Sequence, residues 1–168
     1  MGGMPVAARE SSPPFRIGWK EYLDLPALGL RRLKGKIDTG ARTSTLHVHS
    51  VTYLEPPAEG GAGAAEVTLT PDRRHPTRVI TARVQILRHL RITDSGGHHE
   101  LRPLIETELV LGPVRKPILL TLTDRSEMLF RMILGRKAVE GDFWVDPARK
   151  YLLRSWHRRR PRPDRGPR

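Results

Sequence analysis

The stretch "KGKIDTGARTSTLHVHS", residues 34–50, contains an Asp-Thr-Gly triplet between two runs that are typical of β-strands. Apolar Ile37 precedes the triplet and small Ala41 follows it. One interpretation is a turn in which Asp38 accepts hydrogen bonds from its own backbone. The other is half of a carboxylate pair that shares a proton and activates a water molecule. The surrounding sequence has to decide between the two.

The runs outward from this triplet alternate apolar and polar residues with a period of two, which is the pattern of half-buried antiparallel strands. Aromatic content is only 5%, and the apolar residues are mostly Leu, Ile and Val. We predict an all-β chain with one short helix and a closing hairpin near the C-terminal end. The predicted strands are "FRIGWKEYLDL", "RRLKGKI", "TLHVHSVTYL", "EVTLT", "TRVITARVQILRHLRI", "LRPLIETELVL" and "KPILLTLT", with a further apolar strand at the start of "RMILGRKAVEGDFWVDPARKYLL".

Chain length and composition predict a single domain. A chain of 168 residues with 38% hydrophobic content can build one ordinary core. We expect a disordered segment over residues 1–14, one β domain over 15–154 and a disordered Arg/Pro-rich tail over 155–168. The segment "EPPAEGGAGAAE" reads as a surface loop.

The net charge of +12 is unevenly distributed. The last fifteen residues, "RSWHRRRPRPDRGPR", hold seven Arg against one Asp, so they carry +6 and the rest of the chain carries the other +6. Their three prolines and one glycine argue against a stable helix. Such a tail either binds nucleic acid weakly through a salt-sensitive attraction or acts as a solubilising terminus without a partner.

Several classes of protein are excluded or disfavoured. The chain has no cysteine, which excludes a thiolate nucleophile and a thiolate-bound zinc site. No apolar run is long enough to cross a membrane or to act as a signal peptide, so we expect a soluble cytoplasmic protein without membrane contact. No Gly-x-x-x-x-Gly-Lys-Ser/Thr loop is present, so no ATP site is expected.

Histidines offer an alternative chemistry. His47 and His49 lie two residues apart on a predicted strand, where side chains share a face and could both reach zinc. The "HHE" triplet at residues 98–100 does not have the spacing of a His-Glu-x-x-His zinc site. Solvated strand histidines are commoner than metal ligands, so no cofactor is expected, and a site at His47 and His49 remains the alternative.

Six ordered motifs give the sequence a family resemblance. "KIDTGA" followed by "ILGR" resembles the retropepsin-like aspartic proteases. More closely, the set is similar to the bacterial family long labelled putative ATP-dependent zinc protease, which is associated with ribosomal-modification glutamate ligases of the ATP-grasp type. The resemblance covers residues 15–154. The motifs are "IGWKEYLDLPALGL", "KIDTGARTSTLHV", "ITDSGGHHE", "TLTDR", "FRMILGR" and "GDFWVDPARKYLL".

The resemblance implies a closed, single-lobed β-barrel of the acid-protease type. Asp38 is then the catalytic carboxylate, and Thr39 and Gly40 shape its turn. Gly135 and Arg136 support that turn from the second motif. The ATP in the older family label is better assigned to a ligase partner.

Acid proteolysis needs two carboxylates, but the chain has one Asp-Thr-Gly turn. The second carboxylate must come from a second copy, so we predict a homodimeric aspartic peptidase in which two Asp38 side chains meet. Two alternatives remain open. One is a zinc hydrolase that uses His47 and His49 with His98 or His99, and the other is a non-catalytic barrel that binds a ribosomal or acidic partner.

Two further predictions concern the substrate. Gly96 and Gly97 supply the positive φ values of a tight hairpin, and we predict that this hairpin is a mobile flap that closes over a peptide. The alternative is an ordinary hairpin on the barrel rim. We also predict a positively charged groove that selects glutamate-rich tails, although Arg42 could instead brace the catalytic turn. The groove residues would be Arg42, His98, His99 and Arg102.

Overall fold

The computed structural model describes residues 14–72, 74–93, 96–124 and 129–159. The strands in chain order are β1 (Phe15–Gly18), β2 (Lys20–Leu25), β3 (Leu30–Asp38), β4 (Ser44–His47), β5 (Ser50–Tyr53), β6 (Gly63–Leu69), β7 (Ile80–Thr93), β8 (His99–Leu111), β9 (Val114–Thr123), β10 (Met132–Gly135) and β11 (Phe143–Asp146). The helices are α1 (Arg136–Val139) and α2 (Arg154–Arg159), with two 3-10 turns at Pro26–Leu28 and Glu59–Gly61.

Six strands close into a barrel in the order β2, β3, β10, β4, β9 and β8. Closure is made by the pairing of β2 with β8, where Asp24 lies opposite Val110. The barrel interior is filled by aliphatic side chains that are almost completely buried, among them Leu23, Leu46 and Leu134. Burying these side chains is the main favourable contribution to folding. The expected all-β class and closed barrel are confirmed.

A sheet of three more strands extends from the barrel. β7 pairs with β8, β6 with β7, and β5 with β6, all antiparallel. The chain reaches this extension directly from β4. The N–H of Val48 donates to the carbonyl of Thr123 in the barrel, whereas the N–H of His49 donates to that of Thr68 in β6. The predicted single strand "TLHVHSVTYL" is therefore two strands, because its backbone changes partners between these residues.

The C-terminal region differs from the prediction in two respects. No closing hairpin forms there, since β11 pairs in parallel with β1. The described residues contain two short helices rather than one, and the second, α2, occupies the beginning of the predicted disordered tail. The tail prolines begin at Pro161, after α2 ends, so they do not interrupt it. The rest of the tail and residues 1–13 lie outside the described residues.

Candidate active site

Asp38 is the last residue of β3, and its side chain bonds to the turn that follows. Oδ1 accepts the N–H of Gly40 at 3.0 Å and the N–H of Ala41 at 3.3 Å. The backbone carbonyl of Asp38 also accepts the N–H of Ala41 at 3.2 Å. Within the described part of the chain, Oδ2 receives no hydrogen bond. The turn thus fixes one carboxylate oxygen and leaves the other without a hydrogen-bond partner among the described residues.

The second motif lies directly beside this turn. β10 runs parallel to β3 and places Gly135 opposite Asp38. The guanidinium of Arg136 donates from Nη1 to the carbonyl of Thr39 at 3.0 Å. The N–H of Gly135 donates to Oγ of Ser44 at 3.1 Å. Residues almost a hundred positions apart in sequence therefore hold the Asp-Thr-Gly turn together.

The start of α1 adds two backbone bonds. A helix leaves its first N–H groups without intrahelical partners. Here the N–H of Arg136 donates to the carbonyl of Ala41 at 2.7 Å, and the N–H of Lys137 donates to that of Arg42 at 3.2 Å. The helix start and the loop after Asp38 therefore satisfy each other's backbone groups.

Only glycine fits at position 135. A Cβ atom there would lie 2.6 Å from the carbonyl carbon of Thr43 and 2.9 Å from the carbonyl oxygen of Arg42. Both neighbouring atoms belong to the backbone, so neither can move aside as a flexible side chain could. The close approach of β10 to the loop after Asp38 therefore depends on the missing side chain of Gly135.

Residues 16–155 match the family described as RimB-like, the retropepsin-like aspartic endopeptidase RimB. The chain belongs to this family. The resemblance inferred from the six motifs is thereby confirmed, and Asp38 with its Gly135-containing support lies inside the matched region.

Curated relatives of the chain include proteins named probable alpha-L-glutamate ligase. That of Parasynechococcus marenigrum is 35% identical over 137 residues, and that of Shewanella pealeana is 32% identical over 143 residues. These matches cover 82% and 85% of the chain but only 29% and 31% of the two relatives. The chain therefore spans less than a third of the length of these proteins.

A solved structure has the same fold. The crystal structure of a Legionella pneumophila protein of unknown function superposes with a TM-score of 0.67 at 26% sequence identity. The match covers 83% of this chain and 98% of that protein. Within the described residues, no helix has both the length and the apolar character needed to span a membrane.

The hairpin predicted as a flap is formed by β7 and β8, and its last pair joins Thr93 to His99. Gly97 at the tip has a φ of 81°, the left-handed conformation that favours glycine. Gly96, Gly97 and His98 are exposed. Nδ1 of His99 lies 2.8 Å from Oγ1 of Thr93. Residues 94 and 95 of the tip lie outside the described residues.

The four predicted groove residues are not equivalent. Arg42, His98 and His99 are exposed. Arg102 is only 8% exposed, and its guanidinium bonds to the carboxylate of Glu100 at 2.8 Å. Glu100 also accepts Oγ1–H of Thr123 at 3.2 Å. Arg102 is therefore a buried guanidinium paired with a partly exposed carboxylate and does not line an open groove, which corrects the expected lining at this position.

His47 and His49 do come together, but in different environments. Their ring centroids are 5.4 Å apart with the rings nearly perpendicular. His47 is buried, and neither ring nitrogen has a hydrogen-bond partner among the described residues. Burial and, after it, the nearby Arg131 cation hold the pKa of His47 below its ordinary value.

His49 is exposed and Nε2 lies 2.6 Å from Oγ1 of Thr70. Zinc in proteins almost always has three or four protein ligands. Over the described ranges, no group of three or more His, Cys, Asp or Glu side chains could hold a metal ion. The zinc alternative thus has two candidate side chains, one of which is buried beneath the surface.

A basic cleft lies on the outer face of β2 and β3, and no sequence prediction covered it. Its volume is about 830 Å³. The described lining carries seven cationic side chains, one carboxylate from Asp72, and three aromatic rings from Tyr22, Phe130 and Tyr151. The cations are Lys20, Arg31, Arg32, Lys34, Arg74, Arg78 and Arg131. We call this surface the basic cleft.

Buried carboxylates of β2 hold the walls of the basic cleft. Glu21 is fully buried and accepts the N–H groups of Gly18, Leu152 and Leu153 at 2.8, 2.7 and 3.2 Å. Asp24 is 4% exposed and accepts the N–H of Arg32 at 2.8 Å.

Two of the wall residues have an unusual backbone. Arg32 and Tyr151 have φ values of 52° and 55° and are the two non-glycine residues with positive φ in the described chain. This conformation is uncommon for residues other than glycine and costs about 1 kcal/mol or more. The signal for it in the sequence is absent, because nothing local to "LRRLK" or "RKYLL" demands a left-handed residue.

Proposed function

We propose that the chain is an aspartic-type peptidase that acts as a homodimer on acidic peptides. The observation that carries the proposal is the Asp38 turn. One carboxylate oxygen is fixed by two backbone N–H groups, the other has no hydrogen-bond partner among the described residues, and the turn is braced by Gly135 and Arg136. Membership of the retropepsin-like family supports the same activity.

The dimer follows from the number of carboxylates that the reaction needs. Each chain supplies one Asp-Thr-Gly turn, and the chemistry requires two carboxylates close enough to share one proton. A two-fold axis beside Asp38 brings the two equivalent side chains together without any further residue. Asp38 is only partly buried in the single chain, so it remains accessible to a second copy.

In the proposed reaction the pair of Asp38 carboxyls carries one proton. The ionised member takes a proton from water, and the water oxygen attacks the carbonyl carbon of the peptide bond. The protonated member gives its proton to the carbonyl oxygen. Collapse of the tetrahedral intermediate breaks the C–N bond and transfers a proton to the leaving amine, so that one water molecule is consumed for each bond cut.

The preference for acidic peptides is supported by the face of β3 on which Asp38 lies. Burial alternates along this strand, so Lys34 and Lys36 point to the same outer face as Asp38. Exposed Arg42 follows the catalytic turn. These cations favour substrates with carboxylate side chains. The curated relatives are named probable alpha-L-glutamate ligases, a second reason to propose glutamate-rich substrates.

The Asp38→Asn variant tests the activity. It keeps the shape of the side chain and removes the ionised base, so cleavage of a glutamate-rich peptide should fall by about a thousandfold. Asp146→Asn is the matched control, since Asp146 also accepts an N–H two residues ahead, from Ala148 at 2.9 Å. Mass spectrometry of the products measures both. Undiminished turnover by the Asp38→Asn protein contradicts the proposal.

Mixing the two proteins tests the dimer. An excess of Asp38→Asn chains should lower the activity of wild-type chains by more than dilution, because most wild-type chains then pair with a partner that lacks the carboxyl group. The Asp146→Asn protein should have no such effect at the same excess. Activity that is proportional to the amount of wild-type chain alone contradicts the shared site.

A further inference from the structure

We propose that the basic cleft binds carboxylate side chains of the substrate about four residues away from the bond that is cut. The cleft thereby selects long acidic chains over short ones. This inference rests on the proposed function, because it assigns a second recognition site to the same peptide.

The charge of the basic cleft identifies the class of ligand. Among the described lining residues, seven cationic side chains accompany one carboxylate, and that carboxylate already accepts a hydrogen bond. Asp72 accepts the backbone N–H of Arg74 at 3.0 Å and lies 3.2 Å from Nδ1 of His75. The backbone hydrogen bond from Arg74 is the largest cause that lowers the pKa of Asp72. Clustered cations of this number repel one another, and an anion that enters between them relieves the repulsion.

The cleft has the backbone features of a built site. Strained residues persist where surrounding contacts determine them, and they are concentrated at functional sites. Arg32 and Tyr151 both line the cleft, and both belong to segments held by buried carboxylates. The N–H of Tyr151 also donates to the carbonyl of Lys20 at 2.9 Å. The fold therefore maintains two strained residues at the same surface.

The position of the cleft relative to Asp38 sets the distance to the scissile bond. Lys34 lines the cleft and lies four residues before Asp38 on the outer face of β3. A strand rises about 3.3 Å per residue, so the two side chains originate about 13 Å apart. An extended peptide covers the same distance in about four residues. Lys36 lies between them on the same face and continues the positive surface.

The aromatic rings of the cleft favour a peptide over nucleic acid. Single-stranded nucleic acids bind largely by stacking bases on open aromatic faces. Tyr22 and Tyr151 instead stack on each other, with centroids 4.7 Å apart. The guanidinium of Arg32 lies 5.4 Å from the ring of Tyr22, and Nζ of Lys20 lies 5.4 Å from that of Tyr151. These rings hold cations in place, and the cations are suited to carboxylates.

Binding is measured first, by fluorescence anisotropy of a labelled poly-glutamate peptide on the Asp38→Asn protein, which cannot cut it. Lys34→Ala and Arg78→Ala remove exposed cations of the cleft. Each should weaken binding by about tenfold, the loss expected for one charge-assisted contact. Arg83→Ala removes an exposed cation outside the cleft and should have little effect. Equal affinity in all these proteins overturns the proposal.

Binding of a uracil-only RNA of matched length tests nucleic acid as the alternative ligand of the basic cleft. RNA binding that depends on Lys34 and Arg78, without such dependence for poly-glutamate, overturns the proposal in favour of a nucleic-acid site. Poly-glutamate binding that depends on both residues, together with RNA binding that depends on neither, supports it.

Cleavage of poly-glutamate peptides of increasing length separates this inference from the proposed function. In the wild-type protein kcat/KM should rise steeply once a peptide extends about four residues beyond the cut bond, and Lys34→Ala should flatten this rise. Cleavage that is independent of length and of Lys34 overturns the inference and leaves the peptidase standing. Cleft-dependent binding without cleavage at any length overturns the peptidase instead, and leaves the cleft as a site for acidic chains.

Discussion

The Asp38 turn and the basic cleft lie on the same outer face of the barrel, yet they are built in opposite ways. The turn is relaxed: its carboxylate accepts neighbouring N–H groups, and it is closed by a single remote motif at Gly135 and Arg136. The cleft collects side chains from five separate segments and keeps two residues in left-handed conformations. The proposed catalytic group is thus positioned by its own turn and one remote motif, whereas the proposed recognition surface depends on many separate parts of the fold.

The buried residues beneath the two regions differ accordingly. Under the turn lie hydroxyls that bond to one another and to the backbone, with Oγ1 of Thr45 2.9 Å from Oγ1 of Thr121, and Oγ1–H of Thr121 donating to the carbonyl of Ser44 at 3.2 Å. Under the cleft lie two buried carboxylates, Glu21 and Asp24. Charged groups cost more to bury than hydroxyls, so the cleft depends more strongly on each of its hydrogen bonds.

The largest effect is expected at the support of the turn. In Gly135→Ala the new methyl group meets backbone atoms at 2.6 Å, so the free energy of unfolding should fall by about 2 to 4 kcal/mol. Gly60→Ala is the control, because Gly60 has a positive φ of 75° but nothing within 4 Å, and it should cost only about 1 kcal/mol. Urea unfolding measures both. Similar losses in the two variants would show that strand contact at Gly135 is unimportant.

A smaller loss is expected at the wall of the cleft. Glu21→Gln places an amide NH₂ where two carboxylate oxygens receive three N–H groups, so stability should fall by about 1 to 3 kcal/mol. The exposed Glu106 gives the control Glu106→Gln, for which almost no change is expected. The melting temperature and the affinity for poly-glutamate should both decrease in Glu21→Gln and stay unchanged in Glu106→Gln. An unchanged affinity for poly-glutamate would show that the buried Glu21 carboxylate is not needed to maintain the cleft.

At the adjacent cleft residues Arg31 and Arg32, the expected effect on the free energy of unfolding differs in sign from those above. Asn tolerates left-handed φ better than Arg does, so Arg32→Asn should raise the free energy of unfolding by about 0.5 to 1 kcal/mol. Arg31→Asn removes a neighbouring cleft cation that lacks this conformation and should not raise it. Both should weaken poly-glutamate binding. If Arg32→Asn is less stable than Arg31→Asn, the left-handed conformation of Arg32 does not destabilise the wild-type protein.

The smallest effect is expected at His47. Its backbone N–H donates to the carbonyl of the cleft residue Arg131 at 2.8 Å. Because burial lowers the pKa of His47 in the folded protein, the unfolded chain binds a proton more readily below about pH 6.5. Its contribution to stability is therefore complete above that pH and is lost as the pH falls toward the folded pKa. His47→Leu should remove this loss, so the fall in the free energy of unfolding between pH 8 and pH 6 should be smaller than in the wild-type protein by about 0.5 kcal/mol or less.

Urea unfolding at the two pH values measures that difference, and added zinc provides the contrast. On the proposed assignment zinc leaves the thermal stability of the wild-type protein unchanged. Stabilisation by zinc that His47→Leu abolishes would instead favour the metal site at His47 and His49.

The same contrast explains what the sequence predicts. The Asp38 turn could be recognised because its residues are contiguous and the supporting Gly135 and Arg136 lie in one short motif. The all-β class was predictable from the period-two runs, and the closed barrel from the resemblance. The basic cleft was not predictable, since its cations lie on β2, on β3, in the loop after β6 and before β10, and only barrel closure brings them together.

Other differences have equally specific causes. The pairing of Arg102 with Glu100, two residues before it on the same strand, could not be distinguished by sequence from an exposed basic groove. The helix α2 differs from the predicted disorder because the prolines of the tail begin only after the helix has ended. Nothing in the sequence marks Glu21 and Asp24 as buried, because the backbone N–H groups that they accept are brought to them by the fold.

The bond between Glu21 and Leu152 has a consequence for synthesis of the protein. Once translation passes Lys137, all the residues that brace Asp38 have been made. The wall that contains Tyr151 is made later, and its segment is fixed only when Leu152 and Leu153 reach Glu21. A nascent chain therefore contains every part of the Asp38 turn before it contains the segment that completes the basic cleft, so the proposed site for long acidic chains is completed only with the last residues of the domain.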